Sequence, residues 1–306
     1  MKYLNILLGI ALSLVLGACD SLDVKGMFFS SGSHTEERVA EWLKWNEAHQ
    51  PFVYEGVPDN YNVYFCSDPH ISDNADRFAA VLDAEHNDPI GLFSVVNGDI
   101  ANISGDKPYL LLDSVIGVYE SMTRANNPQF SIINPQLRDT CFAIIGNHDI
   151  YFDCQEHFQH HFHTSTYTVE IHTVSGAKDL FVFLDSGNAT LGARQTAWLR
   201  ELLSKHEEYR HIVLATHTNL FRTSYNYSTT PAATMPEEEC YALMHLMEEN
   251  DVDLFVMAHY HYREEHQIGS VRYVMTDNLN EQNEQPSYLV VSCGNDINYK
   301  FHYLPL

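Results

Sequence analysis

One pattern constrains this chain more than any other: a short β-branched and aromatic run that ends abruptly in histidine, aspartate or asparagine, five times over. Residues 62–66 run into Ser67, Asp68, Pro69 and His70, and residues 91–96 into Asn97, Gly98 and Asp99. Residues 141–145 run into Gly146, Asn147, His148 and Asp149, and residues 211–215 into Thr216 and His217. The last, 253–257, runs into Ala258, His259, Tyr260 and His261. Continuous apolar runs suit strands buried on both faces. Helical patterns at 74–86, 109–124, 194–209 and 236–249 separate them. Strands alternating with helices predict an α/β fold with crossover connections.

Three further strands are expected: 179–184, which ends at Asp185 and Ser186, then 270–275 and 287–291, the last two as a late antiparallel pair. A helix over 35–49 precedes them all. Thr35 is its N-cap, Glu36, Glu37 and Arg38 follow, and Val39, Trp42, Leu43 and Trp45 supply the apolar face. No break in composition divides 35–306, which predicts one domain. At 306 residues and 45% hydrophobic content the chain can bury one substantial core, or at most two small ones.

Ligands of open α/β sheets gather at the carboxyl ends of strands. Seven side chains are expected to converge there: Asp68, His70, Asp99, Asn147, His217, His259 and His261. All are oxygen or nitrogen donors, and they are too many for one ion. If one carboxylate bridges, they divide into four ligands for each of two ions. Such a set suits transition-type cations of intermediate hardness better than a thiolate zinc site. Asp68 with His70, and His259 with His261, are alternate residues, which share one side of an extended segment. The same alternation turns Tyr260 away from the metals.

These motifs, in this order, resemble the calcineurin-like metallophosphoesterase superfamily. Its pattern reads here as Asp68-Pro69-His70, Gly98-Asp99, Gly146-Asn147-His148-Asp149, His217 and Ala258-His259-Tyr260-His261, over roughly residues 60 to 306. Leu184-Asp185-Ser186 and Gln195 with Trp198 and Leu199 are also similar to that family. The one departure is Ala258, where glycine is usual. The resemblance implies a four-layer α/β/β/α sandwich of two mixed sheets flanked by helices. It implies two transition metal ions (manganese, iron or zinc), with Asp68, His70 and His261 on the first, Asn147, His217 and His259 on the second, and Asp99 bridging. It implies His148, flanked by Asp149, as the group that protonates the leaving oxygen or stabilises phosphoryl charge, and a metal-bridging hydroxide as nucleophile. The implied reaction is hydrolysis of a phosphomonoester or phosphodiester. A weakly catalytic binding or scaffolding protein with the same fold is the competing expectation, and it should lack a ligand or His148. Purple acid phosphatases of the superfamily carry glycine and tyrosine where this chain has His70 and Asn102, so no tyrosinate ligand is expected.

A second histidine cluster, His157, His160, His161 and His163, lies in an expected helix over 153–162. Phe158 and Phe162 make an apolar pair there, and a packed or solvated helix face explains the histidines better than a third metal site. The segment 221–235, rich in Tyr, Ser, Thr and Pro, follows His217 and suits a pocket wall or an ordinary loop equally.

The formal net charge of −24 argues against non-specific nucleic-acid binding, although bound cations can reverse the field locally for an anionic substrate. At the N-terminus Lys2 precedes an apolar run over 4–16, shorter than the roughly 20 residues of a membrane span. Leu16-Gly17-Ala18-Cys19 resembles the lipobox of bacterial lipoprotein signal peptides. That implies a signal peptide over 1–18, lipidation of Cys19, a polar tether over 19–34 and a domain held at the cell envelope outside the cytoplasm, at the periplasmic face or cell surface. Of the six cysteines, the five beyond Cys19 cannot all pair. Cys66, Cys141 and Cys293 read as buried thiols, while Cys154 and Cys240 lie in more polar surroundings where a bridge is conceivable.

Overall fold

A computed structural model describes residues 35–49, 52–102, 105–126, 141–150, 154–221 and 235–304. The expected signal peptide, Cys19 and the tether lie outside the described residues, as do 222–234 of the loop after His217. The helices are α1 (Thr35–His49), α2 (Asp76–His86), α3 (Lys107–Asn126), α4 (Cys154–Phe162), α5 (Gly192–Leu203) and α6 (Glu237–Glu249). The strands that end in the motifs are β2 (Tyr61–Cys66), β3 (Gly91–Asn97), β4 (Cys141–Ile144), β7 (His211–Thr216) and β8 (Leu254–Met257). The others are β1 (Phe52–Val57), β5 (Tyr167–Thr173), β6 (Lys178–Leu184), β9 (Glu264–Ile268), β10 (Val271–Met275), β11 (Ser287–Cys293) and β12 (Ile297–Tyr303). No described helix is long and apolar enough to cross a membrane.

Two mixed sheets stack face to face, one in the order β1-β5-β6-β7-β8-β10-β9 and the other in the order β12-β11-β2-β3-β4. Val63, Phe65, Phe93, Val95 and Phe142 of one sheet meet Phe181, Phe183, Val213 and Val256 of the other in the inner core. The alternate residues Tyr64, Cys66, Val96 and Ala143 pack on Phe78, Leu82, Leu112 and Phe158 of α2, α3 and α4. On the far side, Leu180, Val182, Leu214 and Phe255 pack on Leu199, Leu203, Leu243 and Met247 of α5 and α6. Each central strand is thus apolar on both faces, which is why its sequence runs without alternation. The result is the four-layer α/β/β/α sandwich.

The late antiparallel pair does not form. β10 lies between parallel β8 and antiparallel β9 in the seven-stranded sheet. β11 lies between antiparallel β2 and β12 in the five-stranded sheet. Each strand has its own hairpin partner, and the two partners escape sequence reading because they are edges. β9 is Glu-Glu-His-Gln-Ile with no fully buried residue, and only Ile297 of β12 is buried.

α1 rests beside α5, and Trp42 reaches Phe158 of α4 with ring centroids 6.3 Å apart. Its Arg38 is fully buried against Asp185 at the end of β6, with Nε to Oδ2 at 2.7 Å and Nη2 to Oδ1 at 3.0 Å. Gln195 closes the same knot: Asp185 N–H donates to its Oε1 at 2.9 Å, and its Nε2 donates to Asp185 O at 2.7 Å. Asp185 is therefore a structural anchor. The five cysteines within the described residues are buried, and none of them forms a disulfide. Cys240 belongs to the core under α6 and Cys154 to α4 over the opposite sheet, so the polar surroundings expected for these two are absent and no bridge joins them.

Candidate metal centre

The strand ends do not meet along one sheet edge; they meet across the sandwich. β2, β3 and β4 deliver Asp68, His70, Asp99, Asn147 and His148 from one sheet, and β7 and β8 deliver His217, His259 and His261 from the other. Asp68, His70, Asp99 and His261 form one group whose ligand atoms lie close enough to hold a metal ion, and Asp99, His217 and His259 form a second. In the first, His261 Nε2 is 3.1 Å from Asp68 Oδ1 and 3.2 Å from His70 Nε2. In the second, His217 Nε2 is 3.2 Å from both His259 Nδ1 and Asn147 Oδ1. Asp99 belongs to both groups. Its Oδ2 lies 3.8 Å from His70 Nε2, and its Oδ1 3.4 Å from His217 Nε2.

The backbone achieves this convergence by local strain. Asp68, His70, Asp99, His259 and His261 all have positive φ, between 43° and 78°, where non-glycine residues are uncommon and costly. Asp68 with His70 and His259 with His261 are therefore not neighbours on an extended segment. Their strands have ended, and left-handed turns bring each pair round. Tyr260 does turn into the outer core between these two turns, but no strand alternation directs it. Ala258 avoids the left-handed region and donates its N–H to His217 O at 2.9 Å, so alanine fits where glycine is usual.

Two glycines leave room for ligands. A Cβ on Gly98, whose φ is +89°, would stand 2.3 Å from His217 Nδ1, and one on Gly146 would stand 2.2 Å from Asp99 Oδ1. Supporting groups lie around them that the motifs do not reveal. His217 Nδ1–H donates to Asn97 O at 2.8 Å, which leaves Nε2 with a lone pair for the centre. Ser67 Oγ donates to Asp277 O at 2.8 Å, and Asn278 Nδ2 to His261 O at 3.2 Å. These bonds tie the turn after β10 to both first-group loops. They use backbone and common polar side chains, so no spacing in the sequence announces them.

Burial works against charge throughout the site; neighbours overcome it at Asp68, Asp99, His217 and His261, and burial prevails at His70 and His259. Burial opposes ionisation of Asp68, but His261 and His217 hold its pKa down to about 2. Asp99 lies well below the usual carboxylate range, against burial, because His217, His148 and His70 surround it. Burial, then His148, pushes His70 down to about 3, and burial, then His217, pushes His259 down to about 4. Burial also opposes protonation of His217, but Asp99 and Asp68 raise it to about 10. Burial opposes protonation of His261 too, but Asp68 raises it. Ionised carboxylates and neutral imidazoles are the forms a metal ion needs, and bound cations would take the place of the protons that His217 and His261 favour. The donor chemistry fits a divalent metal centre.

His148 is partly exposed. Its N–H donates to Asp99 Oδ1 at 2.8 Å, and its ring stands edge-on to His70 with centroids 4.6 Å apart. Asp149, expected as its catalytic partner, is committed elsewhere. Asp149 Oδ2 accepts N–H groups from Gly146 at 2.9 Å and Ile100 at 3.2 Å. Oδ1 accepts the Ala101 N–H at 3.1 Å and the Tyr109 hydroxyl at 2.9 Å. Four donors occupy a fully buried carboxylate that clamps the Asp99 loop to the Asn147 loop. Burial first, then Asp99, raises its pKa to about 6 against those donors. Asn102, which stands where a purple acid phosphatase carries tyrosine, is exposed and donates to Ser72 Oγ at 2.9 Å.

The second histidine cluster docks helices. His157 Nδ1 lies 3.1 Å and His161 Nε2 3.0 Å from Asp106 Oδ1, and His161 Nδ1 pairs with Asp113. The His161 ring stacks on Tyr109, 5.7 Å away and within 9° of parallel. The carboxylates come from α3 and the residue before it, which is why spacing within α4 shows no partners.

A family model for calcineurin-like phosphoesterases matches residues 61–263, and the chain belongs to that family. A search of curated protein sequences returned no match. Among solved structures, the chain is similar to a dimetal phosphatase from Danio rerio, with a TM-score of 0.56, 10% identity and coverage of 80% of this chain and 96% of the other. It is similar to GAP50, the anchor in the inner membrane complex of Plasmodium, with a TM-score of 0.53, 13% identity and coverage of 80% and 84%. It is also similar to the purple acid phosphatase PPD1 from yellow lupin, with a TM-score of 0.53, 13% identity and coverage of 82% and 52%. At these identities the likeness is one of fold. Family and site together define a metal-dependent phosphoesterase.

Proposed function

We propose that this chain is a dinuclear metal-dependent hydrolase of phosphomonoesters or phosphodiesters. The observation that carries the reading is Asp99, whose two carboxylate oxygens face two separate donor groups. Asp68, His70 and His261 would hold the first ion, Asn147, His217 and His259 the second, and Asp99 both. When bound, such a pair supplies Lewis acidity, acidifying water and neutralising phosphoryl charge. Asn147 contributes a donor without negative charge, which keeps the centre cationic toward a phosphate. Asn97 holds the His217 tautomer, and Asp149 and Tyr109 hold the loops in register. His148 stands over the first group, half-open to solvent, where its ring can meet a phosphoryl oxygen or protonate the leaving oxygen. The scaffolding alternative calls for a missing donor, and all seven are present and convergent. His70 and Asn102 lead to a protein without a tyrosinate absorption band.

The test compares wild type with Asp99→Asn and His148→Ala on chromogenic mono- and diesters. His148→Ala should lose about a hundredfold or more in kcat while keeping its metal. Asp99→Asn should lose metal and activity together; full activity in that variant would sink the assignment. We assign residues 1–18 as a lipoprotein signal peptide, 19–34 as a lipidated tether and 35–306 as a single domain at the cell envelope. Fatty-acid labelling that persists in Cys19→Ser would contradict this.

A further inference from the structure

A polar groove of about 500 Å³ opens beside the metal centre and shares His261 with it. It lies where the edges of the two sheets meet. Tyr262 and Arg263 follow His261, Glu265 comes from β9, Asp277, Asn283 and Gln285 from the turn between β10 and β11, and Phe301 from β12. The turn is built rather than loose. Asp277 Oδ1 accepts the Asn278 N–H at 2.8 Å and Asn283 Nδ2 at 3.0 Å, and Gln285 N–H donates to Asn283 Oδ1 at 2.9 Å. The same turn is tied to Ser67 and to His261 O, so its walls keep a fixed distance from the ligand loops. Arg263 is held as well, over the Tyr303 ring at 4.5 Å and the Phe301 ring at 5.5 Å, with Nη2 donating to the Tyr303 hydroxyl.

Resting on the phosphoesterase reading, we propose that this groove is the leaving-group subsite and that the group it takes is a sugar. The lining offers two carboxylates, two amides, one guanidinium and the rings of Tyr262 and Phe301. Planar polar side chains of both donor and acceptor kind match a ring of hydroxyls, and an aromatic face covers the C–H face of the same ring. A second phosphate is disfavoured, because Asp277 and Glu265 outnumber Arg263. A plain alkyl group is disfavoured, because it offers no hydroxyl to a lining that is polar apart from the rings of Tyr262 and Phe301. The groove begins at His261, a candidate ligand, which puts it within reach of the group beyond the ester oxygen.

The experiment uses metal-loaded full-length protein and measures kcat/KM for the primary-hydroxyl phosphate of glucose and its methyl diester. Methyl and ethyl phosphate, whose leaving groups are too small to span the groove, serve as the control esters, and p-nitrophenyl phosphate reports that the preparation is active. Gln285→Ala and Phe301→Leu, neither at a ligand, should each lower the sugar ester about fivefold or more and leave methyl and ethyl phosphate within about twofold. Equal losses on both kinds of ester, or no loss on the sugar ester, would overturn the subsite while leaving the phosphoesterase reading intact. Protein that cleaves none of these esters would overturn both readings.

Discussion

At the scale of single residues, the site is a set of strained backbones held open by two glycines. Positive φ costs a non-glycine residue about 1–3 kcal/mol, and five of the seven candidate ligands carry it. That cost is sustained because loops from both sheets lock each other, through Asp149, Asn97, Ser67 and Asn278. The seven donors could be read in the sequence because donor type and order are written in side chains. The turns that make them converge could not, because φ is not. Gly98 gives a sharp test of this account. Gly98→Ala would place a methyl group 2.3 Å from His217 and load a φ of +89° with a side chain. It should destabilise the fold by about 1–3 kcal/mol and abolish metal retention, read by thermal melting and elemental analysis. A variant that melts with wild type and keeps its metal would contradict the packing described.

At the scale of elements, the layers are joined by buried polar contacts whose loss is predictable. Arg38 and Asp185 are fully buried and link α1 to the end of β6. Arg38→Ala leaves an unpaired buried carboxylate and should cost about 3–5 kcal/mol in denaturant unfolding; a change below about 1 kcal/mol would mean that α1 is not docked as described. Glu85 on α2 makes a pH-dependent case. Burial first, then Asp88, raises its pKa from 4.5 to about 8. The folded state therefore holds a proton that the unfolded state releases above pH 4.5. Stability is fully present below that pH and is lost as pH rises toward 8. Glu85→Gln should be more stable than wild type by a few kcal/mol at pH 8 (order of magnitude, from the shift), and the two should converge below pH 4.5. Parallel melting curves across that range would refute the assignment. Legibility at this scale follows unbroken apolar runs: β2, β3, β4, β7 and β8 announce themselves by being apolar on both faces, whereas the edges β9 and β12 face water and read as loops. β1 and β5 escape although mostly buried, because Glu55 and Gly56 in one and Thr168, Glu170 and His172 in the other interrupt the run.

At the scale of the whole molecule, the useful surprise is where the site lies. A single open sheet would gather its strand ends along one edge, but here one sheet supplies four of the seven donors and the other sheet three. The two sets meet over Asp99, which only the stacking of the sheets brings about. The order of motifs led to the sandwich by family resemblance; nothing in composition distinguishes two stacked sheets from one. A formal charge of −24 surrounds the centre with a field that repels free phosphoesters, so on the proposed reading a bound cation pair would be what makes the site attractive to its substrate. The most direct test of that claim is elemental analysis of purified protein joined to hydrolysis of chromogenic mono- and diesters, before and after chelation. The account predicts about two transition-metal ions per chain, activity that disappears with the metal and returns on its restoration, and loss of both in Asp99→Asn. Metal-replete protein that cleaves no phosphoester, or an Asp99→Asn variant with undiminished activity, would contradict it.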